Sequence, residues 1–129
     1  MKILTKEQIL QAQDIKKEKV EVPEWGGAVY VKTMTAAEKD KFEKSVMGKP
    51  GSEPDIEGVR AKMLAQTIVD EQGKLLFTLE EVDLLSAKAA RACDRIFAVA
   101  QRLSGFTAED VEDLAKKSKP GRGDGSPSG

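Results

Sequence analysis

Val20-Glu21-Val22-Pro23-Glu24-Trp25-Gly26-Gly27-Ala28-Val29-Tyr30-Val31 is the stretch on which the fold turns. Val20 and Val22 alternate with Lys19 and Glu21, and Val29 and Val31 alternate with Tyr30 and Lys32. A period of two sends successive side chains to opposite faces of a strand, so these runs predict an antiparallel hairpin near 19–33. Gly26 and Gly27 supply the positive φ that its turn requires. A lone two-stranded ribbon is marginal in water, so it must lean on helices or gain strands from a partner.

Outside the hairpin the pattern is helical and is punctuated by threonines. Thr5 precedes Gln8 by three residues, as Thr35 precedes Glu38, Thr78 precedes Glu81 and Thr107 precedes Asp110. At that spacing the hydroxyl accepts from the third backbone N–H while the later side chain reaches back to the cap. The shorter Asp makes the last box the weakest. Leu4 with Ile9, Phe77 with Val82 and Phe106 with Val111 stand at staple positions around three of these caps. Helices are predicted near 6–14, 36–47, 79–86 and 108–117. Phe77–Leu85 echoes Phe106–Leu114, and the reading of both as good helix starts accounts for it.

Two prolines and two glycines make Gly48–Pro54 a loop. A further helix is predicted over 57–69, with Asp70-Glu71-Gln72-Gly73 as a turn. An alternative makes Gln66–Val69 and Leu75–Phe77 a second short hairpin across Gly73. The longest helix is predicted over 87–104, because Ala89, Cys93, Ile96, Phe97, Ala100 and Leu103 recur at spacings of three and four, with Gly105 as its C-cap. After Lys117 no large apolar residue remains, and a tail without apolar area to offset chain entropy is predicted to be disordered. The expected fold is mainly α (α+β): one helical domain over 1–117 with an N-terminal antiparallel hairpin, and a Gly/Ser/Pro tail over 118–129.

Composition excludes most chemistries. The 129 residues include 22 acidic and 21 basic side chains, so no long-range field of one sign points to nucleic acid or an anionic membrane. Uncharged stretches run to seven residues, as from Met63 to Val69, where a membrane-spanning helix needs about 20. One cysteine forms no internal disulfide, and charge arrives too early at the N-terminus for a signal peptide. A cytosolic protein is expected.

Histidine is absent, which removes the commonest general base and transition-metal ligand. Cys93 lies on an apolar helical stripe, whereas a reactive thiolate wants a cationic, partly open setting. Glu80-Glu81 and Glu109-Asp110 fall in first helical turns, where the helix dipole favours negative charge. Arg91, Arg95 and Arg102 project from one side of the long helix and read as a solvated face. No catalytic, cofactor-binding or metal-binding residue is assigned, no cofactor is expected, and the chain reads as non-enzymatic.

Protein binding is what remains. Trp25, at the hairpin loop, either folds back on the core or anchors a partner. With six aromatics in the chain, Trp25, Tyr30, Phe77 and Phe106 are the candidate protein-binding residues. The hairpin edge offers backbone groups to a partner strand, and the apolar stripes of short helices offer the alternative of completing a bundle.

The order of these elements resembles the tail assembly chaperones of long-tailed (siphovirus-type) bacteriophages and prophages. The likeness is carried by the Val20–Val31 segment, by Met34-Thr35 opening a helix, and by Ile68-Val69-Asp70-Glu71 with Gly73 and Leu75-Leu76-Phe77-Thr78. Asp94-Arg95-Ile96-Phe97 and Arg102-Leu103 complete it. The resemblance implies a protein that coats the tape measure protein before the tail tube polymerises around it and that brings in tail tube subunits. It also implies self-association or pairing with a longer, frameshifted form, action in the host bacterial cytoplasm, and absence from the mature virion. The chain looks like the short form, and lysine codons at Lys116-Lys117 are the candidate frameshift position. The alternatives are a virion structural protein, such as a head–tail connector or minor tail component, and a small DNA-binding regulator built on the helices from Thr78 onward.

Overall fold

The computed structural model describes residues 1–47 and 58–106. The predicted helix over 108–117, the tail, the Gly48–Pro54 loop and Lys116-Lys117 lie outside these residues.

The hairpin forms as its alternation demands. β1 (Lys17–Val22) pairs antiparallel with β2 (Gly27–Lys32), with Val20 opposite Val29 and Val22 opposite Gly27. Val20, Val22 and Val31 are buried, whereas Lys17, Lys19 and Glu21 are exposed. A 3₁₀ turn over Pro23–Trp25 connects the strands and closes on Gly26, whose φ of 75° is the left-handed value that favours glycine. Gly27 already belongs to β2, so only one glycine takes positive φ here.

A third strand supplies what a bare hairpin lacks. The helix predicted over 57–69 is shorter, α3 (Val59–Ala65), and the chain then extends as β3 (Ile68–Val69). β3 pairs antiparallel with β2, which becomes the centre of a three-stranded sheet. The β-branched run Thr67-Ile68-Val69 prefers a pleated, half-covered surface to a helix, and the Thr67 hydroxyl donates back to the Met63 carbonyl at 2.8 Å. Val69 also bridges Leu75, so the alternative hairpin across Gly73 is present in minimal form. Its turn is held by the Asp70 carboxylate, which accepts from the N–H groups of Gln72 and Lys74 at 2.8 and 3.0 Å.

The predicted caps set the helix starts. In α2 (Ala36–Met47), the Thr35 hydroxyl accepts from the Glu38 N–H at 3.1 Å and the Glu38 carboxylate from the Thr35 N–H at 2.9 Å. Glu38 also pairs with the ammonium of Lys32, a buried lysine at the end of β2. Burial opposes ionisation of Glu38, but the bonds from Lys32 and Thr35 outweigh it and hold the carboxyl below its ordinary value. Residues 79–86 form a 3₁₀ turn over Leu79–Glu81 that runs into α4 (Val82–Ser86). The Thr5–Gln8 box opens α1 (Lys6–Gln11), which ends three residues earlier than predicted and buries no residue. An isolated helix this short has no packing to extend it.

α5 (Ala90–Leu103) is the beam on which the rest is assembled. It begins later than predicted because Ala89 is extended (ψ 132°) and exposed, off the apolar stripe. Ala92, Cys93, Ile96 and Ala100 are buried, and α5 packs against α3 and the hairpin. Its end follows the Schellman pattern: Gly105 has φ 78°, and the Phe106 N–H reaches the Gln101 carbonyl at 2.9 Å. Phe106 is thereby placed edge-to-face on Phe42, with ring centroids 5.5 Å apart.

Two of the arginines expected on a solvated face, Arg95 partly and Arg102 largely exposed, also latch this helix to the hairpin. Arg95 grips the Glu24 carboxylate through both guanidinium nitrogens at 2.7 and 2.9 Å. Seven residues on, about 10.5 Å along the helix, Arg102 holds both oxygens of Glu18 at 3.1 and 2.9 Å. The Arg95 hydrogen bonds, followed by a bond from the Glu24 backbone, hold the Glu24 carboxyl down at about 2.

Two outcomes follow for stability. Ile96→Ala, at a fully buried site in the middle of α5, is expected to cost about 3 kcal/mol by urea unfolding. For Glu24 the folded-state value is depressed. Its contribution is therefore complete above the unfolded-state value near 4.5 and disappears as pH falls towards 2. The urea midpoint of Glu24→Gln should therefore lose less than that of the wild type between pH 5 and pH 2.

Candidate protein-binding surface

Among the described residues, several groups able to carry chemistry have structural roles. Cys93 is buried, its thiol donates to the Leu85 carbonyl at 3.6 Å, and burial pushes its pKa up, away from the reactive thiolate. Glu81 accepts from the Thr78 N–H at 3.0 Å, which is the capping role its spacing predicted. Glu18, Glu24 and Glu38 are held by Arg102, Arg95 and Lys32. Among the described residues no three His, Cys, Asp or Glu side chains are grouped to hold a metal ion, and no helix is long and apolar enough to cross a membrane.

The four candidate aromatics are not brought together. Trp25 folds back against the core, half-buried, with the Lys88 ammonium 5.9 Å from its ring centroid. Its indole Nε1 is buried without a hydrogen-bond partner. Tyr30 lies at mid-β2, partly exposed, with the Lys17 ammonium 4.6 Å from its ring. Lys17 also donates to the Glu71 carbonyl at 2.8 Å and so ties the β3 turn to the hairpin. Phe77 packs partly buried on the core. Phe106 is 8% exposed, with the Lys39 ammonium over its ring, so little of it is open to a partner.

Grooves lined by described residues mark the surface in at least two places. One, of about 550 Å³, lies on the outer hairpin face beside Tyr30, Val29 and Lys19. Another, of about 520 Å³, lies between α3, α4 and α5, with Leu85, Cys93 and Phe97 in its wall and Arg60 and Lys88 among its lining residues.

The N-terminal run of open apolar side chains was not singled out by the sequence as a surface. Residues 1–15 are all exposed, and Met1, Ile3, Leu4, Ile9, Leu10 and Ile15 stand out in solvent. Elsewhere among the described residues, the large apolar side chains this exposed are Met47, Leu76 and Leu84. Leu4 and Ile9 do occupy staple positions, but a staple signals only how a helix begins, not whether the helix packs. Single exposed apolar residues are ordinary, whereas six in one segment mark a surface meant to be covered.

Comparison with known proteins places this architecture. A family model described as phage tail assembly chaperone matches residues 5–117. The solved tail assembly chaperone of bacteriophage HK97 has a similar fold. The TM-score is 0.54 at 16% identity, covering 75% of this chain and 94% of that one. No curated protein matches the chain. With a family match that takes in α1, the hairpin and α2 to α5, the chain belongs to the phage tail assembly chaperones.

Proposed function

We propose that this chain is a non-catalytic chaperone that binds the tape measure protein, keeps it soluble, and helps recruit tail tube subunits while the tail is built. The observation that carries the reading is the family match over residues 5–117. The surface supports it. Open apolar side chains offer many shallow contacts, and shielding a long apolar helix calls for reversible, distributed contacts more than for one deep pocket. A nearly balanced charge, 21 basic against 22 acidic residues, keeps the chaperone free of one-signed attraction to nucleic acid.

On this reading the protein works in the host cytoplasm, associates with itself or with a longer frameshifted product, and leaves before the virion is complete. Frameshifting is assigned to the codons of Lys116-Lys117, and the extension it adds binds the tape measure alongside the shared region that this chain carries. The hairpin-and-helix region is the part that meets tube subunits.

Co-expression with the tape measure protein of the same genome tests the proposal. Soluble tape measure protein that co-purifies with the chaperone, together with particles that lack the chaperone by mass spectrometry, is the expected result. A tape measure protein that aggregates equally with and without it sinks the chaperone role. Stoichiometric retention in mature particles makes the chain a virion structural protein instead.

A further inference from the structure

We infer that the N-terminal arm, residues 1–11, docks on a second copy of this chain, on the acidic, leucine-bearing surface formed by residues 76–84. The inference gives a surface to the self-association in the reading above and rests on that part of it.

Among the described residues the arm finds no seat. α1 buries no residue, and the arm carries Ile3, Leu4, Ile9 and Leu10 into solvent. A six-residue helix does not hold itself together in water without packing or a partner. Its first part is basic: Lys2 and Lys6 flank Ile3 and Leu4, and no acidic residue comes before Glu7.

The complementary surface exists elsewhere on the same chain. Leu76 and Leu84 are two of the three large apolar residues left in the open outside residues 1–15 of the described structure. Between Leu75 and Ala87 the chain carries Glu80, Glu81 and Asp83 and no basic residue. Glu80 and Asp83 are exposed, while Glu81 is committed to capping Thr78. Apolar residues edged by lysines therefore match apolar residues edged by carboxylates, which is the pairing that gives an interface both adhesion and orientation.

Donor and acceptor are different patches, so the contact is heterologous. A docked pair leaves one arm and one acceptor unused, so association continues, into a ring where the rotation closes and into an open filament where it does not.

Charge exchange on the full-length chain tests this. Lys2→Glu/Lys6→Glu gives an acidic arm beside an acidic acceptor, and Glu80→Lys/Asp83→Lys gives a basic arm beside a basic acceptor. In sedimentation velocity at low salt, the wild type should show mass rising with concentration. Each variant alone should associate at least tenfold more weakly, and an equimolar mixture of the two should regain the wild-type behaviour. Leu10→Asp alone should associate weakly, whereas its intact acceptor should still take a wild-type arm, so that adding it to the wild type caps the assemblies and lowers their mass. Circular dichroism should find all of them folded, because none of the changed side chains is buried.

A wild type that stays monomeric at all concentrations overturns the inference, as does a mixture no more associated than its components. Variants that fail to associate yet keep the tape measure protein soluble would leave the chaperone reading standing and confine that role to single copies. Wild-type self-association that neither charge change weakens would place the contact elsewhere and refute the arm.

Discussion

The packed part of the described structure, α3 and the hairpin above all, is hung on the inner face of α5. Ile96 is fully buried there, and Ala92 and Ala100 above and below it are small enough to let α3 and the hairpin approach closely. The chain has four phenylalanines, one tyrosine and one tryptophan, so close packing of Ala, Val, Ile and Leu does much of the work that bulky rings do in other cores. Phe42 against Phe106 is the exception, and it sits where the Schellman turn at Gly105 delivers the chain back towards α2.

Charged side chains complete what this packing begins. Arg95 and Arg102 span the hairpin at two points, and Lys32 with Glu38 joins the end of β2 to the start of α2. Exposed pairs of this kind contribute little each, but a planar guanidinium that meets both oxygens of a carboxylate fixes an angle as well as a distance. A sheet whose third strand is only two residues long gains its orientation from such ties.

Much of the fold was legible along the chain because its signals are local. The Thr35–Glu38 and Thr78–Glu81 spacings place helix starts to the residue, and Val20 to Val31 declares its pairing by alternation. β3 was harder to read. Its two residues pair with β2 some 37 positions away, as Ile68 does with Val31, and Ile and Val suit a buried helix and a buried strand equally well. The start of α5 was misplaced because Ala89 carries no capping side chain to announce it. The candidate surface was least legible. Whether Trp25 folds inward, whether Phe106 is covered and whether Leu4 and Ile9 find a neighbour all depend on which segments come to lie beside them.

The sequence by itself determined the class of the molecule. Capping spacings and strand alternation each act within a few residues, and together they specify an α+β fold. Tertiary structure alone decided which apolar residues would be used up. Burial is a property of neighbours distant in the chain, so only the folded arrangement could enclose Ile96 and Phe42 while leaving Ile3, Leu10, Leu76 and Leu84 in water.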